Sequence, residues 1–155
     1  MGTKSNKEGD LEMGYAKKVM QTQRYLWDFA NGTGADGSTA TGTIPIFSMP
    51  ANSVVYGVQA YVIAAVTGSS AEEVGDGTDV DGYIVDNFAA GTGFYPTSAE
   101  AATCGVFQKV PGTTDAADVA PEYNVYASAD TIDYKITGTA TAGKILFLVH
   151  FAVLA

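Results

Sequence analysis

Two stretches decide the fold class: Ser53-Val-Val-Tyr-Gly-Val-Gln-Ala-Tyr-Val-Ile-Ala-Ala-Val-Thr67 and Gly143-Lys-Ile-Leu-Phe-Leu-Val-His-Phe-Ala-Val-Leu-Ala155. In the first, Val54, Tyr56, Val58, Ala60, Val62, Ala64 and Val66 recur at every second position, the period of a strand with one face on a core. Val55, Tyr61 and Ile63 make its other face partly apolar. In the second, Ile145, Phe147, Val149, Phe151 and Val153 share one face, and Leu146, Leu148 and Leu154 lie on the other. This closing strand is therefore expected to be covered on both sides or to sit in a subunit contact.

The same period continues outward from these stretches. Gly42 to Ser48 reads as a strand whose Pro45 predicts an edge or a bend, because proline cannot donate to a ladder. Met49-Pro-Ala-Asn52 reads as a turn. Val80 to Phe88, Gly105 to Val110 and Tyr123 to Ser128 are shorter strand candidates bounded by turn formers. Thr131 to Thr137 alternates with Ile132, Tyr134 and Ile136 inward and Asp133 and Lys135 outward. Roughly eight short strands at about ten-residue spacing, with almost no amphipathic helix signal, predict an all-β fold. The expected architecture is a β-sandwich with jelly-roll topology over residues 24–155. Residues 1–23 are polar and carry too little apolar surface to fold alone, so they are set apart as an extended N-terminal arm.

A chain of 155 residues is one ordinary domain with room for a core. Its charged fraction of 16% falls below the typical ~25%, and its 18 glycines exceed the usual ~7%. A surface poor in charge and rich in small residues suits contact rather than a helical enzyme. The net charge of −9 argues against nucleic-acid binding, which needs lysines and arginines to neutralise phosphates. Residues 1–24 hold five cations against three acids, a net +2, while the other 131 hold three lysines against fourteen acids, a net −11. The longest apolar run, 145–155, has eleven residues and is too short to cross a bilayer. With no signal-peptide pattern at its start, the sequence predicts a soluble protein with no membrane partner.

No constellation supports catalysis. Gly32-Thr-Gly34-Ala-Asp-Gly37 matches a dinucleotide fingerprint by letter, but a poor helix former follows it, so it reads as a loop. Asp76, Asp79 and Asp81 have the ligand type for Ca²⁺ without the spacing, and a solvated acidic turn is expected. Glu72 and Glu73 would face opposite ways on a strand. With one histidine, His150, and one cysteine, Cys104, no usual zinc set exists. No catalytic residue, cofactor or metal is assigned. Tyr56 and Tyr61, Tyr83, and Tyr123 with Tyr126 are candidate contact points, since tyrosine is favoured at interfaces. Core packing is the alternative reading of each.

Ser53-Val-Val-Tyr-Gly-Val58, Val74-Gly-Asp-Gly-Thr-Asp-Val-Asp-Gly-Tyr83, Ala129-Asp-Thr-Ile-Asp133 and Thr141-Ala-Gly-Lys-Ile-Leu-Phe-Leu148 together resemble small β-sandwich structural proteins of tailed bacteriophages, some of them capsid decoration (cement) proteins. The resemblance covers residues 42–155. It implies a virion protein on the capsid surface, trimeric, with the major capsid protein and copies of itself as partners. The arm is outside the resemblance, and its proposed capsid or subunit contacts are Lys4, Lys7, Leu11, Met13, Tyr15, Lys17, Lys18, Val19 and Met20. Its lysines would draw an acidic protein onto a shell and its apolar residues would fill shallow grooves. Two other functions are weighed against this: a tail or head fibre whose β-sandwich tip recognises host glycan, a role that calls for exposed aromatics where Trp27 is the only tryptophan, and a soluble cupin-like enzyme. The latter is disfavoured because cupin metal sites use several histidines.

Overall fold

The computed structural model describes residues 20–29, 41–85, 87–96 and 123–154. The strands are β1 (Gln21–Asp28), β2 (Gly42–Met49), β3 (Ser53–Gly75), β4 (Gly93–Tyr95), β5 (Asn124–Tyr126) and β6 (Asp130–Val153). A 3₁₀ turn, Phe88–Ala90, is also among the described residues. The fold is all-β, as the alternation predicts. The Gly32–Gly37 loop and the expected strand at 105–110 lie outside the described residues.

The strands differ from the expected set in length. β3 has 23 residues and β6 has 24, and they pair antiparallel from Ser53↔Val153 to Gly75↔Asp133. The break expected between Thr137 and Gly143 is not there: β6 runs through it. A straight strand of this length would reach roughly 76 Å at about 3.3 Å per residue. Instead the ladder shifts register repeatedly between Val62 and Ala71. Both strands there consist mainly of small residues, Ala64 to Ala71 and Thr137 to Gly143. Gly68 has φ +85°, and a Cβ on it would lie 2.5 Å from the Thr139 carbonyl oxygen. Gly143 has φ +143°, and a Cβ on it would meet Trp27 and Val66, each at 2.8 Å. Small residues and glycines permit the close backbone approach of a crease where bulkier side chains would hold the strands flat.

The crease folds one continuous sheet over on itself, so its two halves serve as the layers of the sandwich. The near half carries the sheet order β1-β6-β3-β4, with β5 also on β3, and the far half adds β2 to β6. Tyr134 of the far half reaches Phe147 of the near half at 5.0 Å between ring centroids and Trp27 at 5.6 Å. Both partners lie too far from Tyr134 along the chain for any straight ladder to bring them together. Phe88 packs edge-on against Tyr134 and Phe147 and closes the aromatic centre. Ile132, Ile136, Ile145, Val149 and Phe151 are buried around it, matching the inward faces read from sequence.

Three local expectations change. Tyr56 points outward and Val55 inward, because a bulge at Val55–Gly57 shifts the alternation by one residue. Among the described residues of 80–88 there is no strand: Ile84 makes an isolated bridge to Val74, and Phe88 opens the 3₁₀ turn. β1 takes residues 21–23 into the ladder, where they pair with Phe151, His150 and Val149. Pro45 sits in β2, which pairs with β6 alone and has an irregular register between Pro45 and Phe47, as an edge proline should.

Truncating Phe147 to alanine should cost about 3–5 kcal/mol by emptying the aromatic centre. Gly143→Ala should cost about 2 kcal/mol or more through backbone strain and contact with Trp27. Urea denaturation followed by circular dichroism measures both. A Phe147→Ala protein as stable as the parent would place the core on the other face.

Candidate functional site

The outer face of the near half is the most contact-like surface of the described residues. Register and burial together define it as a grid. Leu26, Leu146, Tyr61 and Phe94 are cross-strand partners in one row over β1, β6, β3 and β4. Their neighbours one position along, Trp27, Ile145 and Val62, face the core and are buried. The row itself lies open: Leu26 is 42% exposed, Tyr61 38% and Phe94 58%. Tyr61 and Phe94 pack together at 4.4 Å between centroids, and exposed Ile63 extends the strip along β3. On one side of the row lies the ion pair Lys144–Asp28 (2.7 Å); on the other lie Arg24, Leu148 and Gln59. His150 follows one row further, its Nδ1 2.8 Å from the Thr22 hydroxyl. Apolar side chains exposed together across neighbouring strands make this face a candidate interaction surface.

Charge is divided between the halves. The near half carries Arg24 and Lys144 against Asp28, a net +1. The far half and its turn carry Glu72, Glu73, Asp76, Asp79, Asp81, Asp130 and Asp133 against Lys135, a net −6. Glu72 and Glu73 face opposite ways as expected: Glu72 is buried and accepts a hydrogen bond from the Ser69 hydroxyl, and Glu73 pairs with Lys135 across the strands at 2.9 Å. The described part of the molecule is thus a low-charge apolar end joined to an acidic end.

The acidic turn corrects the sequence reading. Asp76 is buried rather than solvated. Its Oδ1 accepts from the backbone N–H groups of Thr78 (2.8 Å) and Asp79 (2.9 Å), which shapes the turn. Its Oδ2 accepts from the Tyr126 hydroxyl (3.0 Å) and the Asn124 amide (3.3 Å). Tyr83 in turn donates to the Tyr126 oxygen at 2.9 Å. Tyr126 stands beside Ser53 at the start of β3, whereas Asp76 follows its last residue. The network is therefore a clasp between the two ends of one 23-residue strand. No group of three His, Cys, Asp or Glu among the described residues is arranged to hold a metal ion.

The other singled-out residues separate by burial. Tyr56, Tyr61 and Tyr123 are exposed and remain contact candidates, and Tyr56 and Tyr123 lie together at 6.4 Å. Tyr83 and Tyr126 are core tyrosines held in the clasp. Trp27 is 1% exposed, so it offers no glycan-stacking surface. Among the arm candidates, Met20 is exposed just before β1. Lys4, Lys7, Leu11, Met13, Tyr15, Lys17, Lys18 and Val19 lie outside the described residues, as does Cys104. Sequence reasoning missed Leu26 and Phe94. The cue for Leu26 lay in Arg24-Tyr-Leu-Trp27, where the outward Arg24 and Leu26 alternate with the inward Tyr25 and Trp27.

No protein-family model matches the chain, and no curated protein does. Its fold is similar to that of a chain in the acid-stable capsid structure of Helicobacter pylori bacteriophage KHP30, with a TM-score of 0.51 and 11% identity over 90% of this chain and 91% of that one. A chain in the capsid asymmetric unit of cyanophage Pam1 is similar at TM-score 0.49 and 16% identity, over 89% and 87% of the two chains.

Asp76→Ala should cost roughly 3 kcal/mol, because it strips acceptors from two backbone N–H groups, a buried hydroxyl and an amide. Millimolar Ca²⁺ should leave the melting temperature of the parent unchanged, since both Asp76 oxygens are already engaged. A rise of many degrees would show a cation site.

Burial pushes the hydroxyls of Tyr83, Tyr126 and Tyr134 well above the ordinary tyrosine range. In the unfolded chain they release protons near pH 10, so above that pH the folded state holds more protons than the unfolded one. Stability should be full below pH 9.5 and fall above 10, by about 1.4 kcal/mol per pH unit for each such tyrosine. Urea midpoints between pH 9 and 11.5 test this, and a flat profile contradicts it.

Proposed function

We propose that this chain is a structural protein of a tailed-phage virion, a capsid decoration protein that binds between capsomers and stabilises the assembled head. The observation that carries the reading is the sharing of one fold, over nine-tenths of both lengths, with a chain from a phage capsid structure. The family resemblance of residues 42–155, the exposed apolar row and the low charge of the near half support it. Binding to assembled shell but not to free subunits favours assembly by mass action, and this needs buried surface rather than a reactive group. The reading assigns no catalysis and no cofactor. Its partners are the major capsid protein and copies of this chain, a homotrimer by the resemblance.

In this reading the shell is met by residues 1–20 through Lys4, Lys7, Leu11, Met13, Tyr15, Lys17, Lys18, Val19 and Met20. The division of charge in the sequence supports that role, because the arm is the one basic segment ahead of an acidic body.

Washed particles should contain the chain at a fixed ratio to the major capsid protein, with labels spread over the shell. Absence from particles would end the reading, and labelling of one vertex or the tail would favour a fibre. Deleting residues 2–20, which stops before β1, should leave the β-sheet circular dichroism unchanged and abolish decoration of bare shells. Full decoration by the shortened chain would remove the arm from the mechanism.

A further inference from the structure

We infer that Asp133 is a proton-operated latch at the open end of the folded ladder: uptake of one proton there tightens the join between the end of β3 and the start of β6, and its release loosens that join. The inference concerns the fold itself and is independent of where the protein works.

The bend brings the ends of both long strands to one place. Gly75, the last residue of β3, pairs with Asp133 near the start of β6, and the clasp turn follows directly from Gly75. A Cβ on Gly75 would collide with the Asp79 carbonyl oxygen and the Val80 backbone, so the turn lies back against this pair. In that crowded position the Oδ1 atom of Asp133 is buried and, among the described residues, has no hydrogen-bond partner. Its ladder neighbours offer no side-chain donor. Pro45 on β2 also lacks an N–H, and Gly75 on β3 has no side chain.

The described charges around Asp133 are mostly of its own sign. Asp130 precedes it on β6, and Asp76 opens the turn beside its partner Gly75. Asp79 and Asp81, hydrogen-bonded to each other, add two more acids on that turn. β2 carries no titratable group, and β5 supplies only the Tyr126 hydroxyl, which the clasp already uses. Lys135 stands two residues along β6, but Glu73 engages it across the strands at 2.9 Å. No free cation among these groups compensates a carboxylate at position 133.

Burial pushes the Asp133 carboxyl above the ordinary aspartate value of 3.8; the Thr131 hydroxyl offsets part of the rise, and Asp130 and Asp76 add to it. The folded protein therefore keeps this proton at pH values where the unfolded chain has lost it. Stability from this group is full below 3.8 and disappears as the pH rises through its folded value. The sign is opposite to that of a carboxylate paired with a lysine, whose contribution is lost on acidification. Protonation removes one of several neighbouring negative charges and gives the carboxyl an O–H donor.

Urea unfolding of the parent and of Asp133→Asn between about pH 4 and pH 7.5 tests the inference. Asparagine keeps the shape, removes the charge and brings an amide donor. At pH 7 its urea midpoint should exceed the parent's by a few tenths of a molar. That advantage should shrink as the pH falls toward 4 and the parent's Asp133 takes up its proton. The other acids titrate in both proteins and drop out of the difference. A variant no more stable than the parent at pH 7, or one with the same advantage at every pH, would overturn the latch. The ¹³C carboxyl shift of Asp133 in the folded parent is a second reading that needs no variant. It should titrate above 3.8, and Asp130→Asn should move the titration to lower pH. Titration at or below 3.8 in the folded protein would end the inference.

Discussion

Everything in this fold depends on bending one two-stranded ladder. β3 and β6 are each long enough, if straight, to span more than twice the ~30 Å width of a small domain, and neither has a core unless the ladder closes on itself. The aromatic centre of Trp27, Phe88, Tyr134 and Phe147 forms only after the bend, because Tyr134 belongs to one half and Trp27 and Phe147 to the other. Hydrophobic burial drives the closure, and the glycine-rich crease lowers its cost by removing the Cβ atoms that would obstruct it.

The clasp answers a different need. A folded ladder held by apolar contact alone could slide, since side chains of similar volume repack at little cost. Asp76 engages four donors at fixed positions, two on its own turn and two on β5. A buried carboxylate must keep such partners, because losing them leaves charge uncompensated in a low dielectric. The network thereby fixes which residues of the two strand ends lie opposite each other, and it makes the turn after β3 part of the structure. Among the described residues, one buried hydroxyl, that of Tyr134, has no hydrogen-bond partner, and the packing of its ring must outweigh that cost.

Closing the ladder also leaves an apolar outer face on the near half. With the inner faces turned toward each other, whatever apolar residues alternate outward are left in solvent. On the near half Leu26, Tyr61 and Phe94 are exposed and Leu146 is half-buried, while the far half turns the Lys135–Glu73 pair outward. The inner faces of these strands build the core, and the outer face with fewest charges is the one on the near half.

The sequence by itself determined the fold class, the inward faces of Thr131–Thr137 and Gly143–Ala155, the edge character of Pro45 and the excess of apolar residues on the closing strand. These follow from a two-residue period, which is local and survives in any environment. Three other features were decided only by tertiary structure. The small-residue runs 64–71 and 137–143 read as breaks between strands, because small residues and glycine weaken a strand signal whether they bend the strand or end it. Tyr56 reads as sharing a face with Val58, Ala60 and Val62, because the extra residue at a bulge changes the face on crossing it and no local pattern announces that residue. Asp76 read as solvated because its partners Asn124 and Tyr126 lie about fifty positions away and meet it only when the ladder has folded. Periodicity specifies which way a side chain points along its own strand; what it meets there depends on where the strand is bent.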